Sequence, residues 1–186
     1  MTRRKMRILA ISGSLRAKSS NTAVLMAAAR LTPPDMEVAL YDGPANLPHF
    51  NPDLDTDQPP PPVLALRNQV GSSQGLLLCS PEYARGVAGV MKNVLDWLVG
   101  SHEFPGKPVA LINASQRATS ADAHLRLTLA TMSARLIETA SITLPLLGQP
   151  IDADWIVSDQ VLSARLRAAL DSFARAIAAN GNQAAV

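Results

Sequence analysis

Ile8-Leu9-Ala10-Ile11-Ser12-Gly13-Ser14-Leu15-Arg16-Ala17-Lys18-Ser19-Ser20-Asn21 is the stretch from which the rest of the chain is read. It opens as a short apolar run, Ile8–Ile11, of the kind that fills a strand buried on both faces of a parallel sheet. It then turns to small hydroxyl residues, Gly13 and the cations Arg16 and Lys18. Behind it, Thr22–Leu31 is rich in alanine and leucine and reads as a helix. Strand, small-residue loop and helix together form an anion-binding layout, because loop N–H groups and the partial positive helix N-terminus converge on one point. Ser and Asn at these positions also cap helices, so an ordinary strand-to-helix turn is the lesser alternative reading of the same residues. Gly13 stands alone, and neither G-x-G-x-x-G nor G-x-x-x-x-G-K-[ST] occurs. A phosphate bound here is therefore gripped by hydroxyls and Arg16 rather than by a glycine nest.

Outward from this stretch, strands and helices alternate. Pro33-Pro34 stops the first helix, and Met36–Tyr41 reads as a second strand. Asp42–Pro62 is rich in proline and should hold little regular structure; loops of more than about 12–15 residues are usually functional or disordered. Its Leu47-Pro48-His49-Phe50 is an apolar tip suited to covering a neighbouring site, with His49 read as a surface or packing residue. Val63–Val70 forms a helix, Leu76–Cys79 a third strand, and Ser80–Gly86 a loop. From Val87 the residues Val87, Val90, Met91, Val94, Leu95 and Leu98 recur with helical spacing, and Trp97, near the edge of that stripe, reads as core or as a subunit contact. Lys107–Asn113 is the fourth strand. Asp122–Leu136 reads as a helix with Ala123, Leu127, Ala130 and Ala134 inward, and Glu138–Leu144 as the fifth strand. After a turn through Gly148-Gln149-Pro150, Ser158 is the expected N-cap of a last helix striped by Leu162, Leu166, Leu170, Phe173 and Ile177 and stopped at Asn180-Gly181.

Composition bounds the function. A chain of 186 residues with 47% hydrophobic and 17% charged residues fits a single domain spanning residues 1–186 with a full core. No apolar run reaches the ~20 residues of a membrane span, and Ile8–Ile11 is short of the ~7–15 residues of a signal core, so a cytoplasmic protein with no membrane partner is expected. Cys79 is the single cysteine, which suits a reducing compartment, and its apolar surroundings read as burial. The net charge of +2 and 4% aromatic residues make nucleic acid an improbable partner.

Alternating strands and helices imply an α/β three-layer sandwich, a five-stranded parallel sheet with helices on both faces. Ligands of such folds bind beyond the carboxyl ends of the strands, where strand order reverses. Three loops meet there: Ser12–Asn21, Ser80–Gly89 and Asn113–Ser120. The three histidines, His49, His102 and His124, lie in separate segments, so no metal site is expected, and no G-x-S-x-G elbow is present. Glu82 is the one carboxylate in these loops before their helices begin, which excludes a paired-carboxylate mechanism. A site without acid, base or nucleophile suits a cofactor that carries the chemistry, and no catalytic side chain is assigned. Its ligand is phosphorylated at the first loop and flat at the second, where Pro81, Tyr83 and Gly86 offer apolar surface and free backbone donors. FMN has both ends.

Ser12-Gly13-Ser14-Leu15-Arg16 with Ser19 and Asn21, together with Pro81-Glu82-Tyr83 and Gly89-Val90-Met91-Lys92-Asn93-Val94-Leu95-Asp96-Trp97, resembles the NADPH-dependent FMN reductase family of flavodoxin-like proteins. That family includes quinone, chromate and azo-dye reductases. Leu47-Pro48 followed by Phe50-Asn51 looks like its second-loop segment. The resemblance implies the flavodoxin-like strand order 2-1-3-4-5. It assigns Ser14, Arg16, Ser19 and Asn21 to the FMN phosphate, and Pro81, Glu82 and Tyr83, with the backbone of Ala84, Arg85 and Gly86, to the edge of the isoalloxazine ring; Ser115 approaches the ring from the third loop. NADPH or NADH is the implied co-substrate, and a quinone, free flavin or similar small molecule the acceptor, in ping-pong hydride transfer. A homodimer or homotetramer is also implied, with the helix Val87–Leu98 near the interface. Ala84 stands where the family commonly has Asn, and Ala114–Ser120 lacks the family's glycines, so side chains are expected to crowd the pyrimidine end of the flavin. A flavodoxin-type electron carrier and a non-catalytic nucleotide-binding protein are the alternatives on the same fold.

Overall fold

The computed structural model describes residues 5–146 and 151–181. In chain order its main elements are β1 (Met6–Ser12), α1 (Ser20–Arg30), β2 (Met36–Leu40), α2 (Pro61–Ser72), β3 (Gly75–Cys79), β4 (Glu82–Tyr83), β5 (Gly86–Val87), α3 (Gly89–Val99), β6 (Pro108–Asn113), α4 (Thr119–Thr131), β7 (Arg135–Leu136), β8 (Ile142–Thr143), α5 (Ala153–Ser158) and α6 (Gln160–Gly181). The turn expected through Gly148-Gln149-Pro150 lies outside the described residues.

The sheet runs β2-β1-β3-β6-β7, with β8 also paired to β6. Every pairing in it is parallel. This is the expected order 2-1-3-4-5, except that the fifth strand is two short pieces separated by a 3-10 turn at Glu138–Ala140. Strand order reverses between β1 and β3: β1 pairs with β2 over Met6–Ala10 on one side and with β3 over Ile8–Ser12 on the other.

Period-two alternation splits the core between the two faces of the sheet. Ile8 and Ala10 of β1, Leu77 and Cys79 of β3, and Ala110 and Ile112 of β6 pack with α1, α5 and α6. Leu9 and Ile11, Leu76 and Leu78, and Val109 and Leu111 pack on the other face with α2, α3 and α4. The stripe Leu162, Leu166, Leu170, Phe173 and Ile177 of α6 is buried as expected. A Cβ on Gly75 would stand 2.8 Å from Phe173 Cζ, so α6 sits closely over β3 at that glycine. Among the described residues no helix is long and apolar enough to cross a membrane.

Two local readings are corrected and one is decided. Asp159, not Ser158, caps α6: its Oδ1 accepts the N–H groups of Val161 and Leu162, both at 2.9 Å. α4 begins at Thr119 and ends at Thr131, so its buried face is Ala121, Leu125 and Leu129, while Leu127 is 68% exposed. The helix stops through Ser133, whose φ of 60° supports the pair Ala134 N–H to Leu129 O and Ser133 N–H to Ala130 O. That is a Schellman-type ending made without glycine. Of the two readings of Trp97, core or subunit contact, the fold takes the core: the side chain is fully buried.

The proline-rich stretch between β2 and α2 is tied down by α3. Trp97 Nε1 donates to Pro48 O at 2.7 Å and Asn93 Nδ2 donates to the same oxygen at 3.0 Å. Asn93 Oδ1 accepts from Phe50 N–H at 2.8 Å, and the Phe50 ring meets Trp97 edge-on with centroids 5.1 Å apart. Farther along, Arg67 of α2 pairs with Asp55 and donates to Trp97 O. His49 is exposed, in keeping with a surface role.

Candidate functional site

The carboxyl ends of β1, β3 and β6 open on a cleft of about 320 Å³. The first loop reaches it by close packing. Gly13 N–H donates to Cys79 O at 2.8 Å, and a Cβ on Gly13 would stand 2.6 Å from Ser80 Oγ and 3.0 Å from Met91 Cβ. The lone glycine therefore lets the first loop lie against the second loop and α3.

Ser12, Ser14, Ser19, Asn21 and Asn113 are buried polar residues clustered at this edge of the sheet, where burial without partners would be costly. Ser12 Oγ bonds Thr22 Oγ1 at 2.9 Å and accepts from Ser14 N–H at 3.3 Å. Ser19 caps α1, its side chain accepting from Thr22 N–H at 3.3 Å. First-turn N–H groups have no intrahelical acceptor, and those of Ser20 and Asn21 remain at the cleft, which both residues line. Asn21 Oδ1 accepts from the Cys79 thiol at 3.2 Å. Burial pushes that thiol up to about 12, so it stays a donor at neutral pH.

The second loop is a hairpin, β4 paired with β5. Its turn residues Ala84 and Arg85 have φ of 50° and 59°, the doubly left-handed turn that ordinarily takes Asn-Gly. Pro81, Glu82 and Tyr83 line the cleft. Glu82 Oε2 accepts from the N–H of Ala121, in the first turn of α4, at 2.9 Å. The third loop is braced from below: Asn113 Oδ1 accepts from Ser115 N–H and Asn113 Nδ2 donates to Ala118 O, both at 3.0 Å. None of Ala114–Ala118 has a positive φ, so this loop turns without glycine and forms a wall of the cleft rather than filling it.

Of the residues expected at the site, Ser14, Arg16, Ser19, Asn21, Pro81, Glu82, Tyr83 and Ser115 line the cleft together. Ala84, Arg85 and Gly86 form the far turn of the hairpin and are not in the lining. Ser20, Ser80, Asn113, Ala114, Arg117 and Ala118 line it as well and were not singled out. Arg117 was visible in the third loop as a cation, but nothing local aims it at the cleft. Among the described residues Arg16 and Arg117 take part in no ion pair. The cleft thus has a cation on each of two walls, and its one carboxylate is engaged with a helix N-terminus. It suits an anionic ligand with polar groups along its length.

The profile of the NADPH-dependent FMN reductase family matches residues 6–146. Among curated proteins, the chain is 41% identical over 128 residues to an NAD(P)H-dependent FMN reductase of Pseudomonas aeruginosa, covering 66% of this chain and 69% of that protein. It is 37% identical over 127 residues to a 2-hydroxy-1,4-benzoquinone reductase of a Burkholderia species, covering 65% of this chain and 68% of that protein. Among solved structures, the flavoenzyme NAD(P)H:(acceptor) oxidoreductase FerB of Paracoccus denitrificans superposes with a TM-score of 0.74 at 28% identity, covering 92% of this chain and 97% of that one.

Proposed function

The chain belongs to the NADPH-dependent FMN reductase family, and from that premise we propose that its cleft holds FMN for the reduction of quinones, free flavin or similar small acceptors at the expense of NAD(P)H. It is an oxidoreductase, like the relatives it matches. The observation that carries this reading is the convergence, at the switch point between β1 and β3, of buried hydroxyls, the first-turn N–H groups of α1 and Arg16, which among the described residues forms no ion pair. Such a set fits a phosphate monoester.

The residues present fit the cofactor along its length. Ser14, Arg16, Ser19 and Asn21 would hold the phosphate. Pro81 and Tyr83 would lie along the ring, with Ser115 and Arg117 at the third-loop end. When bound, FMN supplies the acceptance and release of hydride, so the chain needs no acid or base of its own. The protein's part is to hold the ligands in order, exclude water from one side and present fixed positive charge and N–H groups where negative charge develops. Glu82 and Asn113 hold the walls that do this. The open face admits NAD(P)H and acceptor in turn, which implies ping-pong kinetics.

A homodimer, or a dimer of such dimers, completes the proposal. Exposed Leu54, Leu64 and Val99 support it, since they sit on the segments that Arg67 binds together, and apolar residues exposed in company mark interaction surfaces. The working compartment we propose is the cytoplasm.

Titration of flavin-free protein with FMN and with riboflavin, followed by flavin fluorescence, tests the reading. FMN should bind tightly and riboflavin weakly. Equal affinities would remove the phosphate from the first loop, and no binding of either would remove FMN from this cleft. Steady NAD(P)H consumption with a quinone then separates a reductase from an electron carrier.

A further inference from the structure

We propose that Cys79 is a positioning residue for the anion end of the cleft: its thiol fixes the side-chain amide of Asn21 with the NH2 group turned to the ligand, and so adds to the preference of the first loop for a phosphate over a neutral group. This rests on the placement of the FMN phosphate proposed above. Cys79 ends β3 and is fully buried, so it acts from beneath the cleft and touches no ligand. It grips the first loop at both ends. Its carbonyl oxygen accepts from Gly13 N–H at 2.8 Å, and its thiol donates to Asn21 Oδ1 at 3.2 Å.

A carboxamide fits its site either way round, because its oxygen and nitrogen differ little in size, and only the bonds it makes decide which end points outward. Asn21 is 7% exposed and lines the cleft. With Oδ1 held by the thiol, its Nδ2 has no protein acceptor among the described residues, and it is not among the polar atoms sealed from the surface without a partner. That nitrogen therefore opens on the cleft, where a phosphate oxygen would satisfy it. Reversed, the amide would present an acceptor to an anion and set its own donors against a thiol, whose sulfur accepts only weakly. The thiol thus penalises the orientation that repels phosphate. It stays protonated at neutral pH, because burial pushes it up to about 12, with the backbone N–H of Ala114 acting the other way.

FMN and riboflavin affinities are measured by flavin fluorescence on flavin-free wild type, Cys79→Ala, Cys79→Ser, Asn21→Ala and the double variant. Cys79→Ala should weaken FMN about threefold to tenfold, the worth of one neutral hydrogen bond, and leave riboflavin where it was. Cys79→Ser, whose hydroxyl also donates, should restore FMN. In the Asn21→Ala background, Cys79→Ala should change FMN affinity by less than about twofold, since the amide it orients is gone. Cys79 is the chain's single cysteine, so the infrared S–H stretching band of flavin-free protein reports on it alone and should shift in Asn21→Ala. FMN and riboflavin weakened alike by Cys79→Ala, a hydroxyl that does not rescue, an undiminished effect in the absence of the Asn21 amide, or an S–H band that Asn21→Ala leaves in place would each make Cys79 a packing residue and overturn the proposal. A wild type that binds FMN no better than riboflavin overturns the placement of the phosphate and this inference with it, and the wild-type titration alone identifies that case.

Discussion

Glu82 Oε2 accepts the backbone N–H of Ala121 at 2.9 Å, joining residues 39 apart in the chain. The N-cap residue of α4 is Ala118, which has no side-chain acceptor, so the hairpin supplies the missing cap and its negative charge suits the helix N-terminus. Glu82→Ala should destabilise the protein by about 1 kcal/mol, the usual worth of a cap, and weaken FMN binding by letting the hairpin and third loop separate. Glu82→Gln keeps an acceptor and should recover most of both. Thermal melts and flavin titrations of the two variants decide it, and equal losses would show that charge, not the acceptor, matters.

Arg16→Ala removes an exposed cation that, among the described residues, forms no ion pair. FMN affinity should fall about tenfold to a hundredfold, as for a charge-assisted phosphate contact, while riboflavin affinity stays where it was. A parallel fall for riboflavin would place Arg16 on the ring instead of the phosphate.

Asn93→Ala breaks the bonds to Pro48 O and Phe50 N–H together. The loss should be about 1–3 kcal/mol of stability, because the Phe50 N–H is left half-buried without its acceptor, while Pro48 O keeps the bond from Trp97. The stretch between β2 and α2 should then be cut by a protease at low dose while the wild type resists. Trp97→Phe loses the bond to Pro48 O and also leaves a cavity where the second ring of a fully buried indole was, so it should cost at least as much.

Arg85→Gly relieves a side chain held at φ 59°. Left-handed backbone costs a non-glycine residue about 1 kcal/mol, so the variant should melt at higher temperature. A lower melting temperature would show that the Arg85 side chain stabilises the turn by more than its backbone costs.

Cys79 is fully buried and its thiol is pushed from 9.0 up to about 12. A raised pKa means that the folded protein keeps a proton which the unfolded chain releases, so this contribution is whole below pH 9 and declines towards pH 12. The slope should approach 1.4 kcal/mol per pH unit, about the value for one proton. Cys79→Ala should flatten the pH 9–10 part of the stability profile, below the alkaline titration of Tyr41, which burial also raises to about 12. The native thiol should resist aromatic disulfide reagents that label the denatured chain.

Much of this was legible in local runs of residues. The apolar cores of β1, β3 and β6, the stripe of α6 and the stripe of α3 are short-range periodicities, and they set the parallel sheet and its layers. The first loop was legible too: Ser14, Arg16, Ser19 and Asn21 follow a strand and open a helix, so their meeting point is decided by contiguous chain. The hairpin at Glu82–Val87 was missed because Ala84-Arg85 carries no turn signal, and the end of α4 because Ser133 stands where glycine would announce it.

What the amino-acid sequence determined by itself was therefore whatever depends on neighbours a few residues apart: strand, loop and helix order, the course of the first loop, and the layers of the core. Only the tertiary structure decided which face α4 buries, that Glu82 caps it, that Asn113 lets the third loop turn without glycine, that Trp97 and Asn93 hold the proline-rich stretch, and that Arg117 joins the cleft. Most of these join segments distant in the chain; the Asn113 bonds are local but follow no periodicity, and the face that α4 buries is set by what the helix packs against. Hydrogen-bond geometry between remote segments leaves no periodicity in the chain to read.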